Sequence, residues 1–140
     1  MGFGTDLAFG QVWEKKLLDY IEHDTVEFAP PRCKGWDLEL THDGAKVKYE
    51  VKSDRRSYLT GNVAIEISCS NKPSGINTTE ANFYAYFIVP PADTPNLYLI
   101  PTDCLKELII DKKYRRVKGG DGWRSEMVLV PINDLAEFIF

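Results

Sequence analysis

Two alternating runs, residues 36–41 and 45–52, are separated by His42-Asp43-Gly44. Asp-Gly between alternating runs is the strongest short-range hairpin signal, because a type I′ turn needs positive φ at both central residues. With Asp43 and Gly44 as the central pair, His42 faces Ala45, and the numbers of opposed residues sum to 87. Trp36 then meets Val51, Leu38 meets Tyr49 and Leu40 meets Val47, so one face is apolar along its length. On the other face Thr41 meets Lys46, Glu39 meets Lys48 and Asp37 meets Glu50. A slip of one residue would set charges against apolar side chains, so the pattern selects this register.

One pair in that register is anomalous. Glu39 and Lys48 attract, but Asp37 and Glu50 are opposed carboxylates. Cβ atoms of directly opposed residues lie about 4.5–5.5 Å apart, and like charges there destabilise a sheet. A divalent cation between them would remove the penalty, and Mg²⁺ favours one or two carboxylates plus water and phosphate oxygens. Lys52 shares the face of Glu50, roughly 7 Å along the strand. An ammonium there can orient a water or neutralise charge on a phosphate. A Glu-x-Lys triplet alone is most often the wet face of a half-exposed hairpin. Asp37 opposite Glu50, and Trp36 with the apolar runs, point instead to a central hairpin where buried charges need a reason.

The rest of the chain reads as one domain without repeats or linkers. Residues 6–23 suggest a helix capped by Asp6, with Phe9, Trp13, Leu17 and Tyr20/Ile21 at helical spacing. Residues 27–35 read as a loop containing Pro30-Pro31. A third strand, 62–68, alternates Val63, Ile65 and Ile67 with Ala64, Glu66 and Ser68. Residues 72–76 read as a loop, and 78–88 as a second helix capped by Asn77. Leu97–Ile100 has the fully apolar character of a strand in the middle of a sheet. Thr102 is placed to cap a helix over 103–110, and a charged stretch, 111–123, leads to a strand at 127–130. Asn133 is placed to cap a short terminal helix. The order α-β-β-β-α-β-α-β-α implies a mixed sheet flanked by helices, an α/β fold.

Composition narrows the function classes. A net charge of −4 over 140 residues argues against a packager held on nucleic acid by bulk charge. It leaves open an enzyme with a locally charged site. Cys33, Cys69 and Cys104 are odd in number and form no C-x-x-C, so three reduced, mostly buried thiols are expected. Residues 1–6 lack a basic leader, and the longest apolar stretch, 83–89, is too short to span a bilayer. A soluble intracellular, cytoplasmic protein is the expectation, with Asn77-Thr78-Thr79 a chance sequon.

Asp37 followed by Glu50-Val51-Lys52 resembles the motif of the PD-(D/E)XK nuclease superfamily: an acid at the start of one strand, then Glu or Asp, an apolar residue and Lys on the next. The family core is α-β-β-β-α-β, a restriction-endonuclease-like fold, which residues 6–101 match, leaving 102–140 as a C-terminal extension. The spacing of thirteen from Asp37 to Glu50 looks most like Holliday-junction resolvases and related phage nucleases. Some members add a glutamate from the first helix, and Glu14 is the matching position, in competition with Asp19 and Glu22. Gly35-Trp36-Asp37 lacks the proline of the family's name. The resemblance implies a Mg²⁺- or Mn²⁺-dependent endonuclease acting in DNA recombination or repair. Asp37, Glu50, the Val51 carbonyl and Glu14 would hold metal, and Lys52 would position water or stabilise the transition state. DNA is the implied partner, with a homodimer supplying two sites for two strands.

Further candidates surround this set. Arg55 and Arg56 follow the Glu-Val-Lys strand and suit phosphate contact. Lys113, Arg115, Arg116 and Lys118 sit in a basic run that ends at a Gly-rich, Trp123-tipped segment, a local nucleic-acid footprint. Ser74, Thr78 and Thr79 lie where a loop would meet a helix N-terminus, and such ends bind phosphate. Glu66 reaches the acids only if its strand flanks the hairpin. Asn62 is a weaker candidate, His23 and His42 read as structural, and Phe83, Tyr84, Tyr86 and Phe87 as core packing. Two alternatives remain: a non-catalytic nucleic-acid-binding or assembly module with the same fold, and an unrelated α/β domain whose hairpin charges are incidental.

Overall fold

The computed structural model describes residues 12–33 and 35–140. The expected cap Asp6, the helical position Phe9 and the rest of residues 1–11 lie outside the described residues. The chain builds two sheets. The first has the order β1 (Thr25–Phe28), β2 (Leu38–His42), β3 (Ala45–Asp54), β6 (Phe83–Ile88), β7 (Asn96–Pro101). The second has the order β5 (Lys72–Pro73), β4 (Asn62–Cys69), β9 (Ser125–Pro131), β8 (Arg116–Gly119). Within the first sheet β3 and β6 run parallel, and the other neighbours are antiparallel. Helix α1 is described over 12–17, α2 is a single turn at Ser57–Thr60, and α3 spans Thr102–Lys112.

The hairpin forms in the register its pattern selects. Leu38 pairs with Tyr49, Glu39 with Lys48, Leu40 with Val47, Thr41 with Lys46 and His42 with Ala45. Asp43 and Gly44 both have positive φ, 49° and 81°, as a type I′ turn requires. The apolar face, with Leu38, Leu40 and Tyr49, joins Ala85, Phe87 and Leu97 in a core covered by Trp13 and Leu17 of α1. Trp13 lies 4.9 Å from Phe87, ring centre to ring centre. On the opposite face Tyr84, Tyr86, Ile88, Tyr98 and Ile100 pack against Val63, Ile65, Ile67, Val128 and Val130 of the second sheet, with Leu105 of α3.

Several expectations are corrected. Residues 83–88 are a strand, not a helix, and Asn77 caps nothing; its amide donates to the Ile67 carbonyl at 2.9 Å. The segment is buried on both faces, so it carries no periodicity that would separate strand from helix. Residues 25–28, of which 27 and 28 read as the start of a loop, form the edge strand β1. It is four residues long and exposed throughout, so its ladder with β2 forms without the burial that would mark it in sequence. Strand β4 leaves the hairpin's sheet, because β6 already occupies the free edge of β3 and the apolar face of β4 packs on that sheet instead. The single mixed sheet is therefore two.

Strand β7 is an edge, not a middle strand. Its outer side is closed by a bridge from Tyr98 to Ile139 and by the Phe140 N–H donating to the Leu97 carbonyl at 2.8 Å. Part of the charged stretch forms β8 through its pairing with β9. Neither Thr102 nor Asn133 caps a helix: Pro101 and Pro131 precede α3 and the 3-10 segment Ile132–Phe138 without side-chain caps. The three cysteines are unpaired, and half-buried rather than buried. Among the described residues no helix is long and apolar enough to cross a membrane.

Candidate active site

The β2–β3 ladder stops at Leu38 and Tyr49. Beyond it the Asp37 N–H donates to the Tyr49 carbonyl at 2.9 Å, and an Asp37 carboxylate oxygen accepts the Val51 N–H at 2.7 Å. The side chain thus takes an acceptor place that backbone would fill in a continued ladder. This sets the Asp37 carboxylate against Glu50, as opposed positions in the hairpin imply. Glu50 has a side chain only 13% exposed. Its carboxyl is pushed up to about 7 in all: burial raises it most, Lys52 pulls against that, and Asp37 raises it through charge and a hydrogen bond to the protonated form. The Lys52 ammonium stands 3.6 Å from Glu50 and is half exposed.

Glu14 approaches from the other side of Asp37. Its carboxyl is raised by burial and then by the Asp37 charge. The two acids line a cavity of about 380 Å³ with Trp36 and Cys33, whereas Glu50 and Lys52 line another of about 540 Å³ between the sheets. Asp37 therefore stands between Glu14 and Glu50. One trio among the described residues brings three ligand atoms within 4.8 Å of one another: those of Asp24, His42 and Asp43, at the exposed turn end of the hairpin. Glu14, Asp37 and Glu50 do not close to that separation. His42, read as structural, has Asp24 at 3.7 Å and Asp43 at 3.3 Å.

Closely placed carboxylate oxygens are the donors a hard divalent cation prefers. Asp37 and Glu50 fit that description. Their mutual repulsion and the raised Glu50 carboxyl are both relieved by a cation.

Tyr84 and Tyr86, on the strand beside Glu50 and Lys52, line the larger cavity with Glu66 and Ser74. Burial and then Glu50, Asp37 and Glu66 hold the Tyr84 hydroxyl firmly protonated. Glu66 accepts hydrogen bonds from Ser74 at 2.9 Å and Ser125 at 2.8 Å. Asp54 ends β3: one carboxylate oxygen accepts the Arg56 and Ser57 N–H groups, and so shapes the turn carrying Arg55 and Arg56. By its sequence pattern Tyr84 reads as packing alone; the parallel pairing with Glu50 that brings it to the cleft is hidden in a segment whose pattern also fits a helix.

The remaining candidates divide. Arg55 and Arg56 are exposed at the end of the Glu-Val-Lys strand. Ser74 faces the cleft through Glu66, and exposed Thr78 lines the same cavity. Thr79 instead donates to the Gly35 carbonyl at 3.0 Å. Lys113, Arg115, Arg116 and Lys118 belong to the β8 side of the second sheet. Arg116 reaches Glu126 at 3.4 Å and, with Lys118, lines a separate hollow that excludes the acids. The structure does not bring the basic run to the acid pair. No family model, no curated protein and no solved structure matches this chain.

Proposed function

We propose that this protein is a metal-dependent endonuclease that hydrolyses DNA phosphodiester bonds on a restriction-endonuclease-like core. The observation that carries the reading is the apposition of Asp37 and Glu50, with Glu50 raised to about 7 beside Lys52. The start of the chain supports it: α1 precedes β1, β2 and β3, which are neighbours in one sheet, with Asp37 entering the second strand and Glu50-Val51-Lys52 on the third. Asp37, Glu50, the Val51 carbonyl and Glu14 would hold Mg²⁺ or Mn²⁺. Bound there, the metal supplies Lewis acidity and an activated water.

The chain's own groups do the rest. Lys52, on the rim of the cleft, neutralises charge gathering on the non-bridging phosphate oxygens and orients the attacking water. Tyr84 offers a proton-bearing hydroxyl beside the carboxylates. Arg55 and Arg56 hold the flanking backbone. Cutting both strands takes two sites, which a homodimer supplies. A non-catalytic nucleic-acid-binding module is the second reading, favoured by the separation of the 113–118 cations from the acids.

Plasmid and branched DNA incubated with Mg²⁺ or Mn²⁺ separate the two. The wild type should nick, and Glu50→Ala or Lys52→Ala should lower the rate by about 10²–10³-fold, the usual scale for losing one preorganised charge. Cleavage that survives both substitutions places the chemistry elsewhere. Binding with no cleavage of any substrate establishes the second reading.

A further inference from the structure

The cleft holding Glu50 and Lys52 has a second carboxylate on its far wall. Glu66 extends from β4, and Ser74 and Ser125 each donate their single hydroxyl proton to one of its two oxygens, at 2.9 and 2.8 Å. The two serines reach it from opposite sides in sequence, which fixes the carboxylate. The Ser74 loop is pressed against β4: Gly75 has φ +56°, and a Cβ there would stand 2.2 Å from the Glu66 carbonyl oxygen. With both serine protons spent, this wall offers only acceptors, one lone pair remaining on each Glu66 oxygen for a pair of adjacent donors.

Glu66 is not part of the acid pair. Burial, Lys52 and Asp37 account for the state of Glu50, whereas Glu66 acts on Tyr84. The cavity, about 540 Å³, is of the size that takes a small organic group and exceeds what a phosphate needs. A base inside a stacked duplex reaches such a recess only by leaving the stack. Among the bases, guanine alone presents two neighbouring N–H donors on its pairing edge, and a fixed carboxylate receives them side by side.

We propose that this recess takes one unstacked nucleotide next to the scissile phosphate and that Glu66 selects guanine there. The preferred substrate is then single-stranded or locally unpaired DNA. This rests on the nuclease reading of Glu50 and Lys52.

The test uses single-stranded oligonucleotides containing guanine or inosine, which lacks the 2-amino group, and the corresponding duplexes. Cleavage is measured with Mn²⁺, and binding by fluorescence anisotropy without metal. The wild type should favour guanine over inosine by about 10–100-fold, the range for a paired donor contact, and single strand over duplex by at least about 10-fold. In Glu66→Gln the guanine-to-inosine ratio should fall towards unity, whatever the overall rate. Ser125→Ala, which keeps the charge but frees the carboxylate, should lower it part of the way. An unchanged ratio in a folded Glu66→Gln, or equal cutting of duplex, overturns the recess and leaves the nuclease standing. Guanine-selective binding that depends on Glu66, with no cleavage, upholds the recess and removes the nuclease.

Discussion

Glu50 holds its proton far more tightly than a surface glutamate does, and that has a consequence for stability. Its carboxyl rises from 4.5 to about 7 on folding, so between those pH values the native state binds more protons than the unfolded chain. Stability therefore falls as pH rises through that window, and the full penalty is present above it. Glu50→Gln should flatten urea-unfolding stability between pH 5 and 8 and raise it at pH 8, by at most about 3 kcal/mol. Added Mn²⁺ should stabilise the wild type at pH 8 and leave Glu50→Gln nearly unmoved. A variant as pH-dependent as the wild type would show that the strain lies outside this pair. The Asp37–Glu50 opposition was legible because it follows from counting across a turn. The Val51 N–H as the partner of Asp37 was not, since the count assumes a ladder that continues.

At the scale of elements, the hairpin was readable from its turn as far as Leu38 and Tyr49, because its turn chemistry and its alternation agree; the ladder stops before the expected Trp36–Val51 pair. Gly44, at φ 81°, has open space where a Cβ would go, so only backbone strain opposes a side chain there. Gly44→Ala should cost about 1–2 kcal/mol in denaturant unfolding, and a loss near zero would mean the turn type is not what sets the hairpin. Strand β6 was unreadable for the opposite reason. Residues 83–88 are apolar on both faces because Phe87 packs under Trp13 while Tyr84 and Tyr86 face the second sheet. Thr102 and Asn133 carry the side chains of caps, yet Pro101 and Pro131 take those places.

For the whole molecule, the second sheet packs on the first and walls its cleft. It buries the face bearing Tyr84, Tyr86, Ile88 and Ile100, and its Glu66 forms the far wall of the cleft. That core is shared by both sheets, and the first sheet has a further one on its other face under α1. Ile65→Ala, at a position 2% exposed, should cost about 2–5 kcal/mol. Unfolding followed by tryptophan fluorescence and by far-ultraviolet circular dichroism should still coincide in that variant. Separate transitions would mean the sheets fold as two units. The net charge of −4 takes on meaning at this scale too. Asp37 interacts with both Glu50 and Glu14, while Arg116 and Lys118 line a surface of the second sheet away from them.

Sequence by itself determined the hairpin, its register, the acid pair and the lysine beside it. All of these follow from local turn geometry and a two-residue period, which act over a few residues and leave a mark in the pattern. Only the tertiary structure decided that β6 pairs parallel to β3, that β4 joins a separate sheet, and that Glu66 rather than the basic run faces the acids. Those arrangements depend on which apolar faces cover one another across long stretches of chain. Each strand alone has more than one neighbour that would bury it equally well.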